Sequence, residues 1–174
     1  MAQVPDHLTL KRNRDLEGRP VRPVYRRAGV TLLLVLIAAG LANVFGQRPD
    51  TARAQTAAAT LSVYAPSHIR SGLYYEARFH ITARRELKNA TLVLDSGWAE
   101  GTTINTIEPS PLGEASRDGK LALQLGHVPA GKSFILYVQL QVNPTNVGRR
   151  AQNVELDDGP TKIATIHRTI TVFP

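Results

Sequence analysis

GLYYEARFHIT, residues 72–82, decides how the larger part of this chain is read. Leu73, Tyr75, Ala77, Phe79 and Ile81 fall on one phase, and Tyr74, Glu76, Arg78, His80 and Thr82 on the other. Successive side chains of a strand point to opposite faces, so this alternation describes a strand with one face on a core and one in water. The same period returns at Ala90, Leu92 and Leu94, at Leu121, Leu123 and Leu125, and at Phe134, Leu136, Val138, Leu140 and Val142. It closes the chain at Ala164, Ile166, Ile170 and Val172. Turn-forming residues punctuate the runs: Asp118-Gly119, Pro129-Ala130-Gly131 and Asp157-Asp158-Gly159-Pro160. Seven or eight short strands within residues 61–174, without an amphipathic helical period, predict an all-β antiparallel sandwich.

Before the strands the character changes. Residues 28–46 carry no charge, and only Thr31 and Asn43 are clearly polar. As a helix such a run spans ~29 Å, close to the ~30 Å hydrocarbon core of a bilayer. Arg22, Arg26 and Arg27 flank one end and Arg48 the other. Ala52-Arg53-Ala54 offers an A-x-A pattern at which a signal peptidase could cut, leaving a secreted domain that begins at Gln55. The long polar segment before the apolar run, and a run longer than the ~7–15 residues of a signal peptide, favour a retained anchor. Arg26-Arg27 is not followed by a twin-arginine export motif. Ala38, Ala42 and Gly46 form a small-xxx-small series suited to helix–helix contact with an integral-membrane partner, although an Ala-rich helix yields such spacings by chance.

Charge supports the same topology. The 174 residues have a formal net charge of +7. Residues 1–27 hold seven basic and three acidic groups, more than half of that excess, directly before the apolar run. Cytoplasmic flanks of membrane helices are enriched in this way, so the N-terminus is expected in the cytoplasm and the C-terminal domain outside. No basic face interleaved with aromatics accompanies the charge, and a nucleic-acid partner is not expected. The organisation predicted is a disordered basic tail at 1–27, a transmembrane helix at 28–46, a juxtamembrane linker at 47–60 and a sandwich at 61–174. Membrane lipid is the expected partner of the helix and its flanking arginines. There is no cysteine, which excludes disulfides and thiolate chemistry.

Three segments carry a resemblance. LKNATLVLDSGWAEGTTI (87–104) resembles the part of bacterial cell-surface conserved-repeat domains where a strand ends in Asp and a turn follows. LGHVPAGKSFILYVQLQVNP (125–144) is similar to that family's turn and long alternating strand, and GRRAQNVELDDGPTKIATIHRTITV (148–172) to its closing hairpin. Gly97-Trp98 stands where the family tends to have Leu-Pro. The resemblance covers 61–174 as a single copy and implies an Ig-like sandwich on the cell envelope, serving as a binding, adhesive or spacer module without catalysis. Its motifs encode turns, and so bear on fold more than on function.

Side chains with chemical potential are few. Asp95-Ser96-Gly97 lacks the surroundings of a nucleophile loop and reads as a strand-ending turn. Asp157 and Asp158 supply too few oxygens for calcium and read as the start of a hairpin. The five histidines show no ligand spacing, so no metal, cofactor or catalytic residue is expected. Asn89-Ala90-Thr91 fits a glycosylation sequon, of little consequence in a bacterial host. Trp98, Tyr74 and Tyr137 remain as candidate contacts to an unknown protein or glycan, since exposed aromatics bury much area at low entropic cost. The alternative is that Trp98 packs over one end of the sandwich and the tyrosines cover a sheet face.

Overall fold

The computed structural model describes residues 22–44 and 46–174. The chain divides into two compact units at Val44/Phe45. In the first, helix α1 runs from Arg22 to Leu41. The predicted tail is therefore shorter: residues 22–27 are helical, and residues 1–21 lie outside the described residues. Pro23 sits in the first turn, where its missing N–H costs no hydrogen bond, and arginine is a good helix former, so nothing in this stretch breaks the helix.

The C-terminal end of α1 also differs from the expectation. Asn43 adopts a left-handed φ of 53°. The Val44 N–H donates to the Ala39 carbonyl at 3.0 Å and the Asn43 N–H to the Gly40 carbonyl at 3.0 Å. That pair of bonds is a Schellman stop, for which asparagine substitutes for glycine. Ala42 thus caps the helix and Gly46 lies beyond it, so Ala38, Ala42 and Gly46 do not form one helical face. Pro23–Leu41 is still long and apolar enough to cross a membrane, a property shared by spans and signal sequences.

The second unit is an all-β sandwich. Its strands are β1 (Arg48–Gln55), β2 (Ala59–Arg70), β3 (Tyr74–Ala83), β4 (Leu87–Leu94), β5 (Thr102–Glu108) and β6 (Gly113–Arg117). They continue with β7 (Lys120–Val128), β8 (Ser133–Val142), β9 (Gly148–Ala151), β10 (Val154–Asp158), β11 (Thr161–Ile166) and β12 (Thr169–Phe173). One sheet is ordered β5-β8-β3-β2-β12-β9 with β1 also beside β2; the other is β11-β10-β4-β7-β6. The class expected from the alternation holds, with twelve strands in place of seven or eight. Pairing is antiparallel except where β12 runs parallel to β2 at Thr171–Phe173.

The predicted inward phase forms the core: Tyr75, Ala77, Phe79 and Ile81 of β3 interleave with Ala90, Leu92 and Leu94 of β4 and Leu136, Val138, Leu140 and Val142 of β8, all buried. Leu73 departs from its phase, because it belongs to the turn before β3 and is 43% exposed. The largest correction concerns residues 47–60. They are no linker: Arg48–Gln55 is β1, in antiparallel register with β2 from Arg48↔His68 to Gln55↔Thr60. Ala52 and Ala54 pack against the core while Asp50, Thr51 and Arg53 face outward or stand exposed. The period of two was present but written in alanine, whose low strand propensity masks it.

Candidate functional site

Of the three aromatics offered as candidate contacts, Trp98 is not available to a partner. It is fully buried. After β4 the chain makes a single 3-10 turn at Ser96–Trp98, closed by the Trp98 N–H donating to the Asp95 carbonyl at 3.0 Å. This turn directs the indole inward, where its ring meets Phe79 at 5.2 Å between centroids and its Nε1–H donates to the Asn153 carbonyl. The Arg168 guanidinium lies 5.1 Å over the same ring. The packing alternative is the one the structure adopts.

Around Trp98 lies a buried polar network that the sequence pattern hid. β11 belongs to one sheet and β12 to the other, and His167-Arg168 is the crossing between them. Arg168, 8% exposed, donates through Nη2 to the Ala65 and Pro66 carbonyls at 3.1 and 2.8 Å, and through Nη1 to Gln152 Oε1 at 3.2 Å. Gln152 Nε2 in turn donates to the Tyr75 hydroxyl at 3.1 Å. Burial lowers the Arg168 pKa and raises that of Tyr75, the latter moderated by the Gln152 bond and the nearby guanidinium. Arg168 holds no direct carboxylate partner among the bonds described; carbonyl and amide oxygens satisfy it. The network joins β2, β3 and the β9–β10 loop to the crossing, and its role is to fix the two sheets at this end.

The tyrosines are placed as the alternation predicted. Tyr74 is 65% exposed and Tyr137 38% exposed, both on the outer face of the first sheet. They do not meet: Tyr74 is in register with Gln141, four residues along β8 from Tyr137, or ~13 Å. Tyr137 instead belongs to a row across four strands. Tyr64 of β2 opposes Arg78 of β3, Arg78 opposes Tyr137 of β8, and Tyr137 opposes Glu108 of β5. The Arg78 guanidinium stacks 4.5 Å over the Tyr64 ring and its Nε lies 3.1 Å from Glu76. Ile135, 40% exposed, stands beside the row on the same face. Arg78 was legible as an outward residue, and only register reveals that it stands between Tyr64 and Tyr137.

The outer face of the second sheet is differently built. Glu155 of β10 accepts from Lys120 at 2.8 Å and from Lys162 at 2.6 Å, and Asp157 from Arg117 at 2.9 Å. The two lysines hold the Glu155 carboxyl below its usual range, whereas burial raises that of Asp157. A folded-state pKa below the unfolded one stabilises above the ordinary glutamate value of about 4.3 and is lost as pH falls through the lowered value. Asp157 has the opposite sign, its burial cost being relieved on protonation. Glu155→Gln is expected to cost about 1 kcal/mol at pH 7, discounted for the exposed lysines. Denaturant titrations should show that difference vanish once the pH is below the wild-type Glu155 pKa.

No family model matches the chain, and no curated protein matches it. One solved structure, described as "AvmM Catalyzes Macrocyclization in Alchivemycin A Biosynthesis", is similar with a TM-score of 0.43 at 10% sequence identity. The match covers 74% of this chain and 90% of that one. That structure is described as a catalyst, which stands against the expectation that this chain is not an enzyme. The overlap is too slight to lend an activity, a substrate or a residue role.

Proposed function

We propose that the chain is a single-pass membrane-anchored envelope protein whose sandwich is a binding module, with the N-terminus in the cytoplasm and the sandwich outside. The observation that carries the binding reading is the row Tyr64–Arg78–Tyr137–Glu108 on the outer face of the first sheet. Tyrosine and arginine are the side chains most concentrated at energetic centres of interfaces, and here they lie side by side on four rigid strands. A protein or glycan surface is the partner such a row suits.

The tether is supported by the place of Ala52-Arg53-Ala54. This A-x-A lies inside β1, paired with Val63, Ser62 and Leu61 of β2. Cleavage after Ala54 would take nearly all of β1 from the sandwich and uncover β2. Retention keeps the sheet whole. Arg22, Arg26 and Arg27, with the basic residues before them, favour the cytoplasmic N-terminus. The resemblance to cell-surface conserved-repeat domains supports the same location.

An accessory subunit recognised through its helix is the competing reading, and the truncated small-residue series weakens it. Photocrosslinking in the native membrane separates the two. A crosslinker at Tyr137 should capture a partner that one at Gln124, on the second sheet, does not, and Arg78→Ala should reduce capture several-fold. Capture that survives Arg78→Ala but is lost when α1 is exchanged for an unrelated span would contradict the proposal.

A further inference from the structure

The exposed large apolar residues of the sandwich are not spread evenly. Leu73, Tyr74 and Val147 are 43%, 65% and 49% exposed, and all three lie at the end where β1 begins. The register fixes this. Arg48 pairs with His68 near the end of β2, and Gln47 Nε2 donates to the Tyr74 carbonyl at 2.8 Å. The turn at Gly72 faces the loop at Pro144, three residues before Val147. Arg70 and Arg149 stand exposed at the same end. The opposite end, where the Arg84 and Arg85 N–H groups donate to the Ala58 carbonyl, is also basic, and exposed apolar residues lie toward it singly: Leu112, 78% exposed, in the β5–β6 connection, and Ile135, 40% exposed, near the start of β8. Charge alone therefore does not distinguish the ends; the grouping of three exposed apolar residues beside the start of β1 does.

We propose that the end bearing Leu73, Tyr74 and Val147 rests in the headgroup layer of an anionic membrane, with Arg48, Arg70 and Arg149 against the lipid phosphates. This rests on the anchored reading above. Apolar side chains ringed by arginine, with a tyrosine whose hydroxyl reaches water, match the chemistry of an anionic interface. The chain itself limits the choice. Only Ala42–Gln47 separates the last residue of α1 from Arg48, a segment that extends at most about 25 Å. A soluble partner would have to compete for this end with a surface to which it is already tethered, at high effective concentration. Docking of this kind also leaves the Tyr64–Arg78–Tyr137 row free.

The absence of cysteine makes the test direct. The full chain is reconstituted in nanodiscs of phosphatidylglycerol and phosphatidylcholine, with a single fluorescent label on Val147→Cys or, as the far-end control, on Lys132→Cys. Lipid-borne doxyl groups should quench the label at 147 several-fold more than at 132. Iodide in the water should do the reverse. Leu73→Ser with Tyr74→Ser should bring the two sites to parity, and a pure phosphatidylcholine disc should weaken the contrast. Equal quenching at 147 and 132 in the anionic disc overturns the proposal, as does a contrast indifferent to both the serine variant and the lipid charge. Intact mass of the same sample separates the two readings: a shortened chain defeats the anchor, whereas a full-length chain with equal quenching defeats only the docking.

Discussion

Replacing Trp98 by alanine is expected to lower the stability of the sandwich by about 3–5 kcal/mol and its Tm by roughly 15 °C. The indole is fully buried, so the substitution removes apolar area and leaves a cavity lined by Phe79 and the Arg168 guanidinium. It also removes the indole N–H bond to the Asn153 carbonyl, which then accepts from the Asp95 N–H alone. An exposed aromatic at a binding surface would behave otherwise: surface substitutions away from special features stay within about 0.5 kcal/mol. Thermal unfolding of the reconstituted chain, followed by near-ultraviolet circular dichroism, distinguishes the two. A Tm change of only a degree or two would mean that Trp98 is not packed as described.

Arg168→Met should be comparably severe, about 3–5 kcal/mol, although methionine nearly matches the arginine stem in shape. The loss lies in what is left behind. The Ala65 and Pro66 carbonyls and Gln152 Oε1 lose their donors inside the protein, and each unsatisfied buried acceptor costs about 1–3 kcal/mol. Arg168→Lys should recover part of it, since an ammonium restores the charge but not a planar fork reaching two carbonyls and an amide. The double variant with Trp98→Ala should cost less than the sum of the two, because the guanidinium and the indole lie against each other. Chemical denaturation of the four proteins at constant pH gives the cycle. Strict additivity would contradict the contact.

What could be read from the sequence and what could not follow from the same physics. β3, β4 and β8 were legible because one face of each is made of large apolar residues and the other of polar ones, so a period of two stands out. β1 was not, since alanine alternating with arginine and glutamine carries the period without the volume. The end of α1 was misjudged because a hydropathy run does not register backbone handedness; Asn43 in the left-handed region stops the helix while the apolar residues continue. Trp98 could be read either as an exposed contact or as packed over the end of the sandwich, because its direction is set by the 3-10 turn at Ser96 and by the space between the sheets, neither of which has a local pattern. Arg168 and Gln152 were invisible for a related reason: a buried polar group is paid for by partners distant in the chain, here Ala65, Pro66 and Tyr75. Tyr74 and Tyr137 were placed correctly by phase alone, yet the row to which Tyr137 belongs required the cross-strand register.

The central claim is that α1 stays attached to the sandwich and holds it at a membrane, and intact mass tests it most directly. The protein, tagged at its C-terminus, is expressed in a bacterium, and membrane and soluble fractions are weighed by mass spectrometry. The account predicts the uncleaved 19.0 kDa chain plus tag, in the membrane fraction and resistant to alkaline carbonate extraction. A soluble product beginning at Gln55 would contradict it, and would mean that the domain works without most of β1.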